Sequence, residues 1–306
     1  MVDETDRTFD SFKEYLINTK ELSHNSVSAY LRDLPDFQRF LEEKGIHSLS
    51  SASKSDASAW LLKLKRDGRS TATVNRKLAS IRAYYKFMIE TGVLSENPTK
   101  GIHSPRIERN EVEYLTLEEV DRLLAAPDDT EIGQRDLAIL EMLYATGLRA
   151  TELRFANIDD INLRMGFVSC SGAHGKARII PLGRPARAAL EKYIYDVRPH
   201  FRKKNDESAR TSEDDGALFL NYYGERITRQ ALWKVIKGYA KKIGLEKDLT
   251  PQMIRNSFAV HMIQHGADLK SIQELLGHED PTATQVYLSV TRNRIKDVYD
   301  TAHPRA

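Results

Sequence analysis

Fewer than forty residues, from Thr250 to Tyr287, hold three helix starts and two stops, which confines this end of the chain to a cluster of short helices. Thr250-Pro251 sets a capping hydroxyl before a proline at the first helical position. Ile254, Phe258 and Met262 then recur at one-turn spacing until His265-Gly266 ends the helix. A second helix begins near Asp268, carries Leu269, Ile272, Leu275 and Leu276 on one face and stops at Gly277, which leaves His278 on the following turn. Asp280-Pro281 repeats the cap-and-proline signal, so Tyr287 is predicted about two turns into a third short helix.

This arrangement suggests chemistry. Gln252 and Arg255, three apart, project from one side of the first helix, and His278 and Tyr287 can fold back towards them. A guanidinium, an imidazole and a phenol that converge suit an anionic substrate attacked by tyrosine. Taken singly, a tyrosine in an amphipathic helix is most often core or surface, so the combination carries the reading. His261 and His265 are four apart on the same helix, but no glutamate stands between them in the HExxH arrangement. They read as structural, and no metal or other cofactor is expected.

The length of 306 residues allows two domains, each with its own core, and the single cysteine, Cys170, excludes an intramolecular disulfide or a cysteine metal cage. No apolar run approaches the roughly 20 residues that cross a membrane. The first residues, MVDETDRTFD, are acidic and polar, unlike a signal sequence, so a cytoplasmic protein with no membrane partner is expected. The net charge of +2 hides a gradient. Residues 61–109 carry eleven Lys or Arg against four acids, an excess of seven, as a phosphate-facing surface requires. Solvated helical faces carry such runs too.

Taken in order, residues 7–20 form an amphipathic helix through Phe9, Phe12, Tyr15 and Leu16. A longer helix capped at Ser23–Ser26 runs to Gly45, with Pro35 expected to kink it. Residues 55–66 and 71–91 give two more helices, so residues 1–97 read as a compact four-helix bundle. The start of the fourth, with Thr73, Asn75, Arg76 and Lys77, combines a hydroxyl, an amide and two cations at a helix N-terminus, all good partners for DNA phosphate or base edges. Residues 98–112 lack an apolar period and read as a linker in which Lys100, Arg106 and Arg109 can follow a DNA backbone. Two modules so joined can close around DNA. Thr116 and Glu119 form a capping box that opens a second domain, residues 113–306. Helices at 116–126 and 132–146 lead into Gly147-Leu148-Arg149, residues 166–182 give two short strands, and helices follow at 184–197 and 228–243 around a polar segment, 200–217. A last helix is expected after Tyr287. The fold class is mainly α with a small β-hairpin or sheet.

The spacing of Arg255, Leu275-Leu276-Gly277-His278 and Tyr287 resembles the tyrosine recombinases, or phage integrase family, and within it the bacterial Xer type. That family combines an x-x-R helix, L-L-G-H, and a tyrosine nine residues beyond the histidine. Ala145-Thr146-Gly147-Leu148-Arg149 with Glu152, and the ending His303-Pro304-Arg305-Ala306, match as well. The resemblance runs nearly end to end. It implies a core-binding N-terminal domain and a catalytic C-terminal domain. Tyr287 would be the nucleophile, Arg149, Arg255 and His278 the phosphate ligands, and Glu152 would orient a neighbouring catalytic group.

It further implies a metal- and ATP-independent enzyme that cleaves and rejoins DNA through a 3′-phosphotyrosine and a Holliday junction, resolving chromosome or plasmid dimers. Its partners would be a double-stranded core site and a homo- or heterotetramer joined by exchange of the last helix, anchored by Ile295, Val298 and Tyr299; an activating protein such as a DNA translocase is a further possible partner. An integrase of a mobile element and a DNA-binding relative without catalysis are the alternatives. Two positions depart from the family pattern. Gln252 replaces the usual histidine, so the tyrosine proton is expected to leave to a substrate oxygen, water or His278 while Gln252 positions the phosphate. The hairpin reads Gly172-Ala173-His174-Gly175-Lys176-Ala177-Arg178, with Ala173 where the family has the lysine that protonates the leaving 5′ oxygen, so Lys176 or, after it, His174 is expected in that role.

Overall fold

The computed structural model describes residues 4–106, 111–171, 177–202, 216–277 and 282–287. The chain divides into two compact units, residues 1–109 and 110–306. The first contains helices α1 (Glu4–Glu14), α2 (His24–Glu42), α3 (Lys54–Arg66) and α4 (Thr71–Glu90). Serines set three of the starts: Ser23, Ser53 and Ser70 each accept a backbone N–H from the third helical residue. Phe12, Leu16, Leu34, Phe37, Leu41, Leu78, Ile81 and Tyr85 fill the core. Helix α2 continues as one helix through Pro35.

A polar cluster ties α2 to α4. Asp33 is buried and accepts hydrogen bonds from Arg76, from Lys77 Nζ at 3.1 Å and from Ser80 Oγ at 2.7 Å, while Lys77 also reaches Asp36 Oδ2 at 2.6 Å. Lys77 was expected at a DNA-facing surface. It is 6 % exposed and serves instead as an internal ion-pair partner, because a buried aspartate needs a buried cation. Arg82 donates to Ile102 O and Ser104 Oγ, and Asn75 Nδ2 donates to Pro105 O at 2.9 Å, so residues 102–105 of the expected linker are fastened along α4.

In the second unit, α5 (Leu117–Leu124) opens on the predicted Thr116–Glu119 capping box, and α6 (Glu131–Thr146) is enclosed by the core. After α7 (Ala150–Phe155) come β1 (Ile161–Asn162), β2 (Phe167–Ser171) and β3 (Ala177–Pro181), an antiparallel sheet in the order β1-β2-β3 that pairs Val168 with Ile180 and Cys170 with Arg178. The sequence predicts two strands; β1 adds a third, too short to leave a period.

Helices α8 (Arg184–Lys192), α9 (Arg198–Arg202) and α10 (Arg229–Lys242) follow. The buried Arg198 guanidinium donates to Ala217 O at 2.6 Å, which anchors both ends of the polar segment. The chain then forms α11 (Pro251–Gln264), α12 (Leu269–Leu276) and α13 (Thr282–Gln285). Tyr287 lies in the turn after α13 rather than inside a helix. The expected final helix lies outside the described residues.

Candidate active site

Helix α6 ends at Gly147, whose left-handed backbone (φ 60°) turns the chain sharply so that Arg149 caps α7. A β-carbon at position 147 would lie 2.5 Å from Phe258 Cδ1 and 2.9 Å from Leu276 Cδ2, so α6, α11 and α12 meet at a point only glycine fits. Its carbonyl accepts a hydrogen bond from Arg255 Nη1 at 2.6 Å. The turn that delivers one arginine therefore also holds the other.

Glu152, one turn into α7, is the hub between them. Its Oε2 accepts the Arg149 backbone N–H at 2.7 Å and its Oε1 the Arg149 guanidinium at 3.0 Å. Arg178 on β3 makes two bonds to the same carboxylate, at 3.0 and 2.9 Å, and Arg255 Nη1 lies 3.9 Å away. Burial opposes ionisation of Glu152, but the Arg178 hydrogen bonds, the Arg149 N–H and the two guanidinium charges outweigh it and hold the pKa below the usual carboxylate value.

The C-terminus of α12 takes part as well. Arg178 Nε donates to Leu275 O at 2.8 Å, Arg255 Nη2 to Leu276 O at 2.8 Å, and Arg149 Nη1 lies 3.5 Å from the same oxygen. The last carbonyls of a helix have no partner within it and carry its negative end, so cations there are stabilised. Gly277 then turns in a left-handed conformation (φ 63°), and a β-carbon there would approach Arg178 Nη1 to 3.0 Å.

Three guanidiniums around one carboxylate leave a formal excess of two positive charges. Arg255 is 2 % exposed, and burial first, then the charge of Arg149, pushes its pKa down to about 10, still fully charged near neutrality. Arg149 keeps 41 % of its side chain exposed, beside a cleft of about 400 Å³ that Thr151, Phe155 and Ser169 help to line. The arrangement is matched to an anion that approaches from the Arg149 side.

Tyr287 is buried, and its hydroxyl donates to Asn256 Oδ1 at 3.2 Å. Burial raises the phenol pKa, while the charges of Arg255 and Arg149 pull it down, which puts the ring within the field of both guanidiniums. Gln252 is exposed one turn before Asn256 and donates to the same Oδ1 at 2.9 Å. His278, Lys176, Ala173 and His174 lie outside the described residues. Of the expected site residues, Arg149, Glu152, Arg255, Gln252 and Tyr287 are thus gathered on α7, α11 and the turn after α13.

Two further residues, Arg178 and Asn256, join the site. Arg178 sits in the hairpin motif but shows its purpose only once β3 brings it to Glu152, and Asn256 carries no signal beyond its place beside Arg255. His261 and His265 are structural: His261 Nδ1 meets Tyr144 Oη at 2.9 Å, and His265 Nδ1 meets His261 O at 2.7 Å. In the first unit, Arg76 has a 42 % exposed side chain, Thr73 and Asn75 are half-buried, and Arg106 is exposed.

Comparison with known proteins agrees with this geometry. Residues 113–294 match the phage integrase family, and residues 9–92 match the phage integrase N-terminal SAM-like domain. The tyrosine recombinase XerD of Oceanobacillus iheyensis is 41 % identical over 298 residues, 97 % of this chain and 98 % of that protein. The tyrosine recombinase XerD of Listeria monocytogenes is 41 % identical over 302 residues, again 97 % and 98 % of the two chains. The fold is also that of the XerH site-specific recombinase bound to a palindromic difH substrate, with TM-score 0.75, 18 % identity and coverage of 95 % of this chain and 83 % of that one. The chain belongs to the phage integrase family. Within it, this is a site-specific tyrosine recombinase of the Xer type. Among the described residues, no helix is long and apolar enough to cross a membrane.

Proposed function

We propose that the protein cuts and rejoins double-stranded DNA at a core site through a covalent link to Tyr287, and that it exchanges strands through a Holliday junction to resolve chromosome or plasmid dimers, as the Xer resemblance implies. The observation that carries this reading is the grouping of Arg149 and Arg255 on one buried carboxylate, with the Tyr287 phenol inside their field.

In the cleavage step the phenolic oxygen attacks phosphorus, the P–O5′ bond breaks and a 3′-phosphotyrosine forms. The phenol loses its proton to water, a substrate oxygen or His278, and the departing 5′ oxygen gains one from Lys176 or, failing that, His174. The bond energy stays in the phosphotyrosine, so a 5′ hydroxyl can reverse the step without ATP. Negative charge grows on the non-bridging oxygens as the bonds exchange. Arg149, Arg255 and His278 are the donors suited to it, and Glu152 keeps the guanidiniums in place. Gln252 is a hydrogen-bond donor that cannot take the proton.

Solved recombinases of this fold, XerH bound to a difH substrate and a lambda integrase dimer bound to a core site, support a core-site partner and a multimeric assembly. Exchange of the C-terminal helix within a tetramer, an activating DNA translocase and an address on the nucleoid in the cytoplasm are parts of this proposal. Thr73, Asn75, Arg76 and Arg106 are its DNA contacts from residues 1–112. The test is to trap covalent complexes of the purified protein on genomic DNA and sequence the attached fragments. Tyr287→Phe should abolish them. A protein that binds DNA and yields no Tyr287-dependent adduct is a binding relative without catalysis.

A further inference from the structure

We infer that Asn256 is the positioning residue for the Tyr287 nucleophile, its amide oxygen fixing the direction of the phenolic O–H bond. Three contacts support this. Asn256 Nδ2 donates to Glu113 O at 2.9 Å, Gln252 Nε2 donates to Asn256 Oδ1 at 2.9 Å, and Tyr287 Oη donates to the same Oδ1 at 3.2 Å. The two sides of the amide cannot be exchanged. Turned over, the oxygen would face the carbonyl oxygen of Glu113, a backbone acceptor that cannot change role as the exposed Gln252 amide can.

The carboxamide is therefore locked by a backbone carbonyl, that of Glu113, which takes no part in the chemistry. The adjoining Ser257 adds to the anchorage: its hydroxyl accepts the Leu115 N–H at 2.8 Å and donates to Met253 O at 2.7 Å, so residues 113–115 are stitched to α11 on both sides of this contact. An acceptor fixed in this way commits the phenol's proton to one direction. The phenol oxygen itself lies in the field of Arg255 and Arg149. An amide oxygen is too weak a base to remove the proton, so Asn256 aims the nucleophile and does not activate it.

This rests on the recombinase reading for its consequence but not for the contact itself, and the experiment separates the two. Asn256→Leu and Asn256→Asp have nearly the same size as asparagine, and both lose the donor to Glu113. Only the aspartate keeps an acceptor for Tyr287. Single-turnover adduct formation is measured on a nicked duplex carrying the trapped core site, together with DNA affinity. In parallel, 3-fluorotyrosine in place of Tyr287 reports the contact by its 19F resonance in protein without DNA.

Asn256→Leu is expected to slow adduct formation at least about tenfold, the scale on which misaligned reactants lose rate, with DNA affinity unchanged. Asn256→Asp should stay within about threefold of the unaltered protein, since it keeps the aligning acceptor. The 19F resonance should move in the leucine variant. Equal losses in both variants would assign Asn256 to the Glu113 anchorage alone, and an unmoved resonance would remove the contact; either overturns the inference. A total absence of adduct in the unaltered protein, with the resonance shift present, would instead overturn the recombinase chemistry.

Discussion

At the scale of single residues the site is governed by an imbalance: Glu152 is one carboxylate serving three guanidiniums. Glu152→Gln keeps the shape and removes the charge, leaving buried cations uncompensated, and should destabilise the protein by on the order of 3 kcal/mol near neutrality. The pH dependence has a definite sign. The folded-state pKa is depressed, so the stabilisation is complete above the unfolded value of about 4.3 and disappears as pH falls through the lower folded value. Thermal melts of both proteins between neutrality and acid should show a gap that narrows only at the acid end. A constant gap would mean that the carboxylate acts by shape alone.

Tyr287 has the opposite problem, because burial keeps its phenol protonated and Gln252 offers no base nearby. The rate of adduct formation should therefore rise with pH from about 6 to about 9, since the attacking species is the phenolate. Gln252→His, with an imidazole of ordinary pKa about 6.5, should raise the neutral rate by about tenfold and flatten that rise. If the variant is no faster at any pH in the range, the missing base is not what limits cleavage.

At the scale of elements, the site depends on two left-handed glycines that end α6 and α12 against the same arginine cluster. Gly147→Ala meets both an unfavourable backbone and a ring 2.5 Å away, and should cost at least about 2 kcal/mol in a urea melt, more than the roughly 1 kcal/mol of the backbone effect alone. These elements were legible because their signals are local. Thr116 with Glu119, Thr250-Pro251, and Gly147 and Gly277 each act on residues within a turn or two.

What the sequence hid depends on distant partners. The two-residue β1 has no period to detect, and α7 is only six residues long. Arg178 acquires its role from a carboxylate 26 positions away. Lys77 looked like one more cation in a basic run because Asp33, which buries it, lies on another helix. The same reason applies to Asn256, whose two site partners are Gln252, one turn back, and Tyr287, which reaches it only after the chain has folded through α12 and α13.

At the scale of the whole molecule, 46 basic residues against 44 acidic ones leave little net field, so attraction to DNA has to come from local surfaces. Residues 61–109 hold a basic surplus of seven, but counting its charges overstates what a phosphate can meet. Lys77 is already neutralised by Asp33 and Asp36, whereas the guanidinium of Arg76, although paired with Asp33, has a side chain 42 % exposed. Each phosphate contact contributes a slope of about one to the logarithm of affinity against the logarithm of salt concentration. Arg76→Ala should therefore reduce that slope by about 1 on a duplex carrying the core site. Lys77→Met should leave the slope unchanged while lowering the melting temperature, because it strips a buried aspartate of a partner. Fluorescence anisotropy over a salt series measures the first effect and a thermal melt the second. If Lys77→Met reduces the slope as much as Arg76→Ala, the lysine leaves its ion pair on binding DNA, and the basic run is then a reserve of charge that the free protein keeps folded inside its bundle.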